Sequence, residues 1–200
     1  MALTVSEQGG EYKSIEPGTY PARCVRIIDL GTQHGEYEGK ATVKQQVMVG
    51  WELPTELIEG GDYDGQPRLV SRFYTASLNK KSSLRKDLDS WRGKAFTEEE
   101  LQGFDLVNII GKPCMLALVA NDTGKTKVSA VMALPKGMKV DPQISQSIVF
   151  DVSNWNDETF GSLSEGIQKM IKESDEYRQG AAMAVSEEVP EFNPDDDIPF

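Results

Sequence analysis

Histidine is almost missing from this 200-residue chain, with His34 the only one, and cysteine is scarcely commoner, with Cys24 and Cys114 alone. A zinc site needs three or four clustered Cys, His or acidic ligands. A serine or cysteine triad needs a histidine beside its nucleophile. One histidine and two dispersed cysteines supply neither. Both cysteines lie in apolar, strand-like stretches, which implies buried free thiols in a reducing cytosol rather than a disulfide. No apolar run approaches the ~20 residues of a membrane helix. The opening MALTVSEQGGEYKS has no basic region followed by an apolar stretch, so no signal peptide is expected. The expected setting is the cytoplasm.

Catalytic motifs are equally scarce. The GKT at 124–126 would need a glycine five residues before Gly124 to form a phosphate loop, and Val119 stands there. Carboxylates alone can hold the two metals of a nuclease, but Asp62 and Asp64 fall in a turn. Glu98 to Glu100 fall at a helix N-terminus, where the dipole favours acids. The expectation is a protein without catalytic residues, metal or cofactor.

Net charge is −11, which argues against a polyanionic partner until its distribution is read. Residues 1–140 hold 18 acids and 18 bases, whereas 141–200 hold 14 acids and 3 bases. Within 65–94 stand Arg68, Arg72, Lys80, Lys81, Arg85, Lys86, Arg92 and Lys94 against Asp87 and Asp89, a local +6. Segment charge, not the total, steers a partner.

Hydrophobic content of 38% suffices for one core. Segment 19–31 reads as a strand and 31–40 as a glycine-punctuated loop. Segment 43–53 alternates, with Val43, Gln45, Val47, Val49, Trp51 and Leu53 on a core face and Lys44, Gln46, Met48 and Glu52 opposite. Segment 68–77 alternates too: Leu69 and Phe73 are placed on the core side, Arg68, Arg72 and Tyr74 on the other. Leu84, Leu88 and Trp91 have helical spacing closed by Gly93. Thr97 and Glu100 form a capping box. CMLALVA at 114–120 reads as a central strand, NDTGK as a hairpin turn, and 126–134 as the returning strand. An edge strand over 145–153 follows, and Ser162 with Glu165 caps a last helix carrying Leu163, Ile167, Met170 and Ile171. The amphipathic face of this helix, expected over 162–178, and the edge strand offer surfaces for a homodimer.

Three strands, a helix and two strands form the element order of the OB-fold, a five-stranded Greek-key barrel with its helix between strands 3 and 4. The fold class expected is mainly β with flanking helices (α+β). The organisation is a flexible arm over 1–17, the barrel over 18–140, a strand and helix extension over 141–179, and a disordered acidic tail over 180–200.

OB barrels bind single strands on the face of strands 2 and 3 and on the loops joining strands 1–2 and 4–5. Such binding needs cations along the backbone path and flat rings on which bases stack. The residues expected to supply them are Lys44, Arg68, Arg72 and Tyr74 on the strands and Tyr37 and Lys40 in the first loop. Lys80 and Lys81 precede the helix, and Lys125 and Lys127 lie in and after the last hairpin. Trp51 is assigned to the core.

The chain closes on NPDDDIPF. An acidic solubilising tail has no use for Ile-Pro-Phe. DDDIPF resembles the C-terminal tip of bacterial single-stranded DNA-binding proteins, in which an acidic run and Ile-Pro-Phe dock replication and repair enzymes. The blocks WRGKAFTEEELQGFDLVNIIGKPCMLALV (91–119) and VSAVMALPKG (128–137) resemble phage and prophage proteins regarded as viral single-strand binders. The resemblance implies binding and protection of single-stranded DNA, without strong sequence preference, during phage DNA replication, recombination and repair in a bacterial host. Asp195, Asp196, Asp197, Ile198, Pro199 and Phe200 would then be the partner-docking peptide. The competing expectation is an adaptor or decoy that captures host repair enzymes without touching DNA.

Overall fold

A computed structural model describes residues 15–180. The first strand does not stop at Gly31. β1 (Gly18–Tyr37) and β2 (Lys40–Leu57) form a long antiparallel ribbon, so most of the loop expected at 31–40 is strand. The turn is only Glu38 and Gly39, both at positive φ (50° and 73°), a pairing whose twist suits a two-residue hairpin. Gly31 instead marks an irregularity in the register. Its φ is +69°, and a Cβ there would lie 2.7 Å from Ser174 Cβ.

β3 (Pro67–Thr75), β4 (Pro113–Ala120) and β5 (Thr126–Met132) complete an antiparallel path β3-β2-β1-β4-β5. β4 pairs with β1 over Gly18–Arg23. Where β4 departs, the short β6 (Ile148–Phe150) pairs with Arg26–Ile28 in parallel. The extension over 145–153 thus contributes three paired residues. The two ends of the path meet: Arg72 on β3 donates to the Ser129 carbonyl on β5 at 3.0 Å. The architecture is α+β, dominated by this antiparallel sheet.

α1 (Ser83–Arg92) turns Leu84, Leu88 and Trp91 inward against Val49, Trp51, Leu116 and Val131. Gly93, in the left-handed region at φ 65°, ends it with an N–H bonded to the Ser90 carbonyl. Trp51 and Trp91 rings lie 6.1 Å apart. α2 (Glu98–Gln102) carries the expected capping box. Cys24 and Cys114 are free and buried, and burial pushes the Cys24 thiol up to about 12.

The other face of β1 and β2 is covered as well. Ile28, Leu30 and Met48 pack against Phe150, Leu163 and Ile171 of the extension. Ser162 caps no helix start; it ends α3 (Asp157–Gly161), and Ser164 opens α4 (Glu165–Lys172). The long last helix is interrupted because buried Ser174 donates to the Ile171 carbonyl and accepts from the Tyr177 amide. It thereby caps a new helical turn at 175–180. Among the described residues no helix is long and apolar enough to cross a membrane.

Candidate nucleic-acid interface

Alternation along β3 separates two faces without saying which is inner, and here the assignment made from polarity is reversed. Tyr74 is buried at 3% exposure, whereas Phe73 is 46% and Leu69 37% exposed. The reason lies on α1. Asp87 accepts from the Tyr74 phenol at 2.8 Å and from Arg72 Nη1 at 2.9 Å, so the polar side chains of β3 are satisfied inside. The Arg72 guanidinium also lies 5.1 Å over the Tyr74 ring. Burial, reinforced by the Asp87 carboxylate, pushes the Tyr74 phenol upward. Tyr74 is therefore no stacking platform and Arg72 no open phosphate contact. Arg68 is half-buried in a pocket with Glu16, Glu56 and Glu59, where an approaching phosphate would meet carboxylates.

Much of the +6 segment is likewise neutralised within the fold. Arg85 pairs with Asp89 at 3.0 Å and Arg92 with Glu100, and both guanidiniums lie over the Phe96 ring. The lysines remain outside. Lys80 and Lys81 are exposed in the segment that leaves β3 where the Ala76 amide bonds the Gln45 carbonyl. That is the end of the sheet bearing exposed Lys40, Lys44 and Tyr37 (64%) on the β1–β2 ribbon. Lys125 and Lys127 are exposed beside the start of β1, because Gly18 pairs with Leu118. The two hairpins thus bracket a face from opposite ends instead of meeting.

On the face of β1–β3 that the extension partly covers, the register aligns two rows, Arg26–Gly50–Ser71 and Ile28–Met48–Phe73. A Cβ on Gly50 would lie 3.0 Å from Arg26 Cβ and 3.5 Å from its Cγ and Cδ. The Arg26 stem therefore runs over the glycine, which carries its guanidinium from β1 toward β3. It enters a groove of about 570 Å³ walled by Met48, Leu69, Phe73 and Ile167, with no carboxylate among the described residues that line it. Arg26 Nε is buried without a hydrogen-bond partner among the described residues. Burial lowers the pKa of the side chain from the usual arginine value. Its neighbour Arg23 differs: three carbonyls, of Gly111, Val140 and Asp141, accept from it at 2.7–2.9 Å.

Arg26, Gly50 and Phe73 escaped the sequence reading. A glycine inside an alternating strand is the signal for close approach of another group, and Gly50 between Val49 and Trp51 carries it. The tip residues Asp195 to Phe200 lie outside the described residues, as does most of the N-terminal arm. No family model, curated protein or solved structure matches the chain.

Proposed function

We propose that this chain binds single-stranded DNA in the groove across β1–β3 of an OB-type barrel. One observation carries the reading. Exposed Phe73 and half-buried Arg26, whose Nε has no hydrogen-bond partner among the described residues, line one groove, and no carboxylate lines it among those residues. Bases stack on exposed rings, and cations follow the phosphates. The strand order β3-β2-β1-β4-β5, with α1 between β3 and β4, agrees with the barrel, as does the meeting of β3 and β5 at Arg72. Lys40, Lys44, Lys80 and Lys81 at one end, and Lys125 and Lys127 at the other, extend the phosphate path beyond the groove.

A duplex hides its base faces, so single strands should win by a wide margin. Anisotropy titrations of a labelled oligothymidine and of a hairpin duplex of equal length test this, and comparable affinities would sink the assignment. Absence of binding to either would leave the adaptor reading in place.

The DDDIPF segment supports a second part of the proposal, recruitment of host replication and repair enzymes during phage DNA replication, recombination or repair. Such a role belongs in the cytoplasm of a bacterial host. Phe200 fits an apolar pocket and Asp195 to Asp197 a basic surround. Deleting Phe200 should abolish capture of such enzymes while DNA affinity barely moves. Intact capture would remove the docking reading.

A further inference from the structure

We infer that a second groove, on the face of β2 opposite the proposed DNA groove, docks a basic peptide segment with aliphatic side chains, carried by a partner protein. The choice of a protein as occupant rests on the recruitment reading above.

The groove lies over β2, β1 and β6 and holds about 480 Å³. Ile27 and Val149 are partners across β1 and β6, and with Val47, Leu106 and Val107 they make an apolar floor. Val107 is 48% and Val149 40% exposed, so aliphatic surface lies open inside a concavity. Four carboxylates stand round it. Asp105 precedes the 3-10 turn Leu106–Ile109, Asp29 is on β1, Asp151 follows β6, and Glu176 is in the helical turn at 175–180. Val107, Gly31, Ser153 and Thr32 respectively donate to them at 2.6–3.0 Å. These amides and hydroxyls fix the oxygens but bring no positive charge, and no lysine or arginine lines the groove among the described residues.

The complementary ligand carries cations spread along an apolar body. Among the described residues no three acidic, histidine or cysteine side chains converge closely enough to hold a metal ion, so one compact cation does not match the arrangement. Lysine and arginine match it, because their methylene stems cover apolar surface while their heads reach the carboxylates. Valine or leucine beside them would cover Val107 and Val149. A polyamine shares this chemistry, and position favours the peptide. Glu176 stands four residues before Gly180, where the acidic segment that ends in the DDDIPF tip begins. Twenty residues span at most about 70 Å, so an enzyme held at Phe200 is held within reach of the groove. A second contact on a tethered partner gains from high effective concentration. The segment itself has six acids and no bases from Gly180 to Phe200, so like charge keeps it out of this groove.

Anisotropy titrations of the full chain test this with a labelled short peptide that alternates lysine and valine, and with one that has serine for valine. The lysine–valine peptide should bind about 10-fold more tightly. D105N and D151N keep an oxygen for the capping amide, and together they should weaken that binding about fivefold at low salt. V107S should weaken it about threefold with charge unchanged, and urea denaturation checks that each variant stays folded. Equal binding of the two peptides, untouched by V107S, would mean unspecific attraction to acidic surface and overturns the site. Full affinity in the D105N/D151N chain overturns it too. Displacement of the peptide by equimolar spermidine would give the groove to a polyamine. The same titration in a chain lacking Phe200 separates this site from the tip. Unchanged peptide affinity there supports the groove whether or not enzyme capture survives, whereas loss of peptide binding would place the site on the tip and overturn the inference.

Discussion

Two grooves open on opposite faces of β2, and they are close in size. The one on the face of Met48 and Gly50 measures about 570 Å³, and the one on the face of Gln45 and Val47 about 480 Å³. Both have apolar walls, the second from Ile27, Leu106, Val107 and Val149. Their charge separates them. Among the described residues the first holds Arg26 and no carboxylate, whereas Asp29, Asp105, Asp151 and Glu176 line the second without a cation. Burial pushes the Asp29 carboxyl upward, and the charges of Asp151 and Glu176 push the same way against the Gly31 amide. A polyanion entering the second groove would meet four carboxylates. Shape makes both grooves binding sites in principle; charge makes only the first suit the single strand proposed above.

The comparison breaks most decisively at Arg26. R26E would give the first groove the sign of the second. It removes a charge-assisted contact, worth ~1.5–3 kcal/mol, and adds like-charge repulsion. Single-strand affinity should fall by about 3 kcal/mol, on the order of 100-fold. Anisotropy with an oligothymidine measures it, and a change below threefold would move the site away from this groove.

The two faces of β3 give the next effect. Phe73→Ala should cost ~1–3 kcal/mol of binding with an unchanged salt slope, since stacking releases no counterions. Tyr74→Phe should leave DNA affinity alone and lower folding stability by about 1–2 kcal/mol, because Asp87 loses a buried donor. Urea denaturation reads the second effect. A Tyr74 variant that lost DNA binding while keeping its stability would restore the reversed assignment of the faces.

These faces also show how much of the molecule is legible in its sequence. The helix of Leu84, Leu88 and Trp91, its Gly93 stop, the Thr97 capping box and the 121–125 hairpin follow from local rules, and they are found where those rules put them. Local rules failed where a distant residue decides. Asp87 lies 13 positions from Tyr74 and 15 from Arg72 in sequence, and its carboxylate draws both inward. Phe73, the more apolar residue, is left on the outside. The ribbon at 31–40 was missed because its glycines read as loop. Only Gly39 serves the turn, while Gly31 makes room for Ser174 and Gly35 continues the strand. Arg26 was missed because its meaning depends on Gly50 across the ladder.

The smallest effect concerns the acidic end of the chain. From Gly180 to Phe200 there are six acids and no bases. Twenty residues span at most about 70 Å when extended, so their length does not prevent the aspartates from reaching the cationic groove. They would not settle in the acidic one. Contacts between exposed opposite charges are worth ~0.2–1 kcal/mol and are screened by salt. Deleting residues 193–200 should therefore strengthen single-strand binding about two- to fivefold at low salt, with no gain at high salt. In the R26E background the same deletion should give a smaller gain, because the groove no longer attracts the aspartates. Equal gains in both backgrounds would mean that the acidic segment competes with DNA at the lysines of the hairpins, and Arg26 would then have no part in holding it.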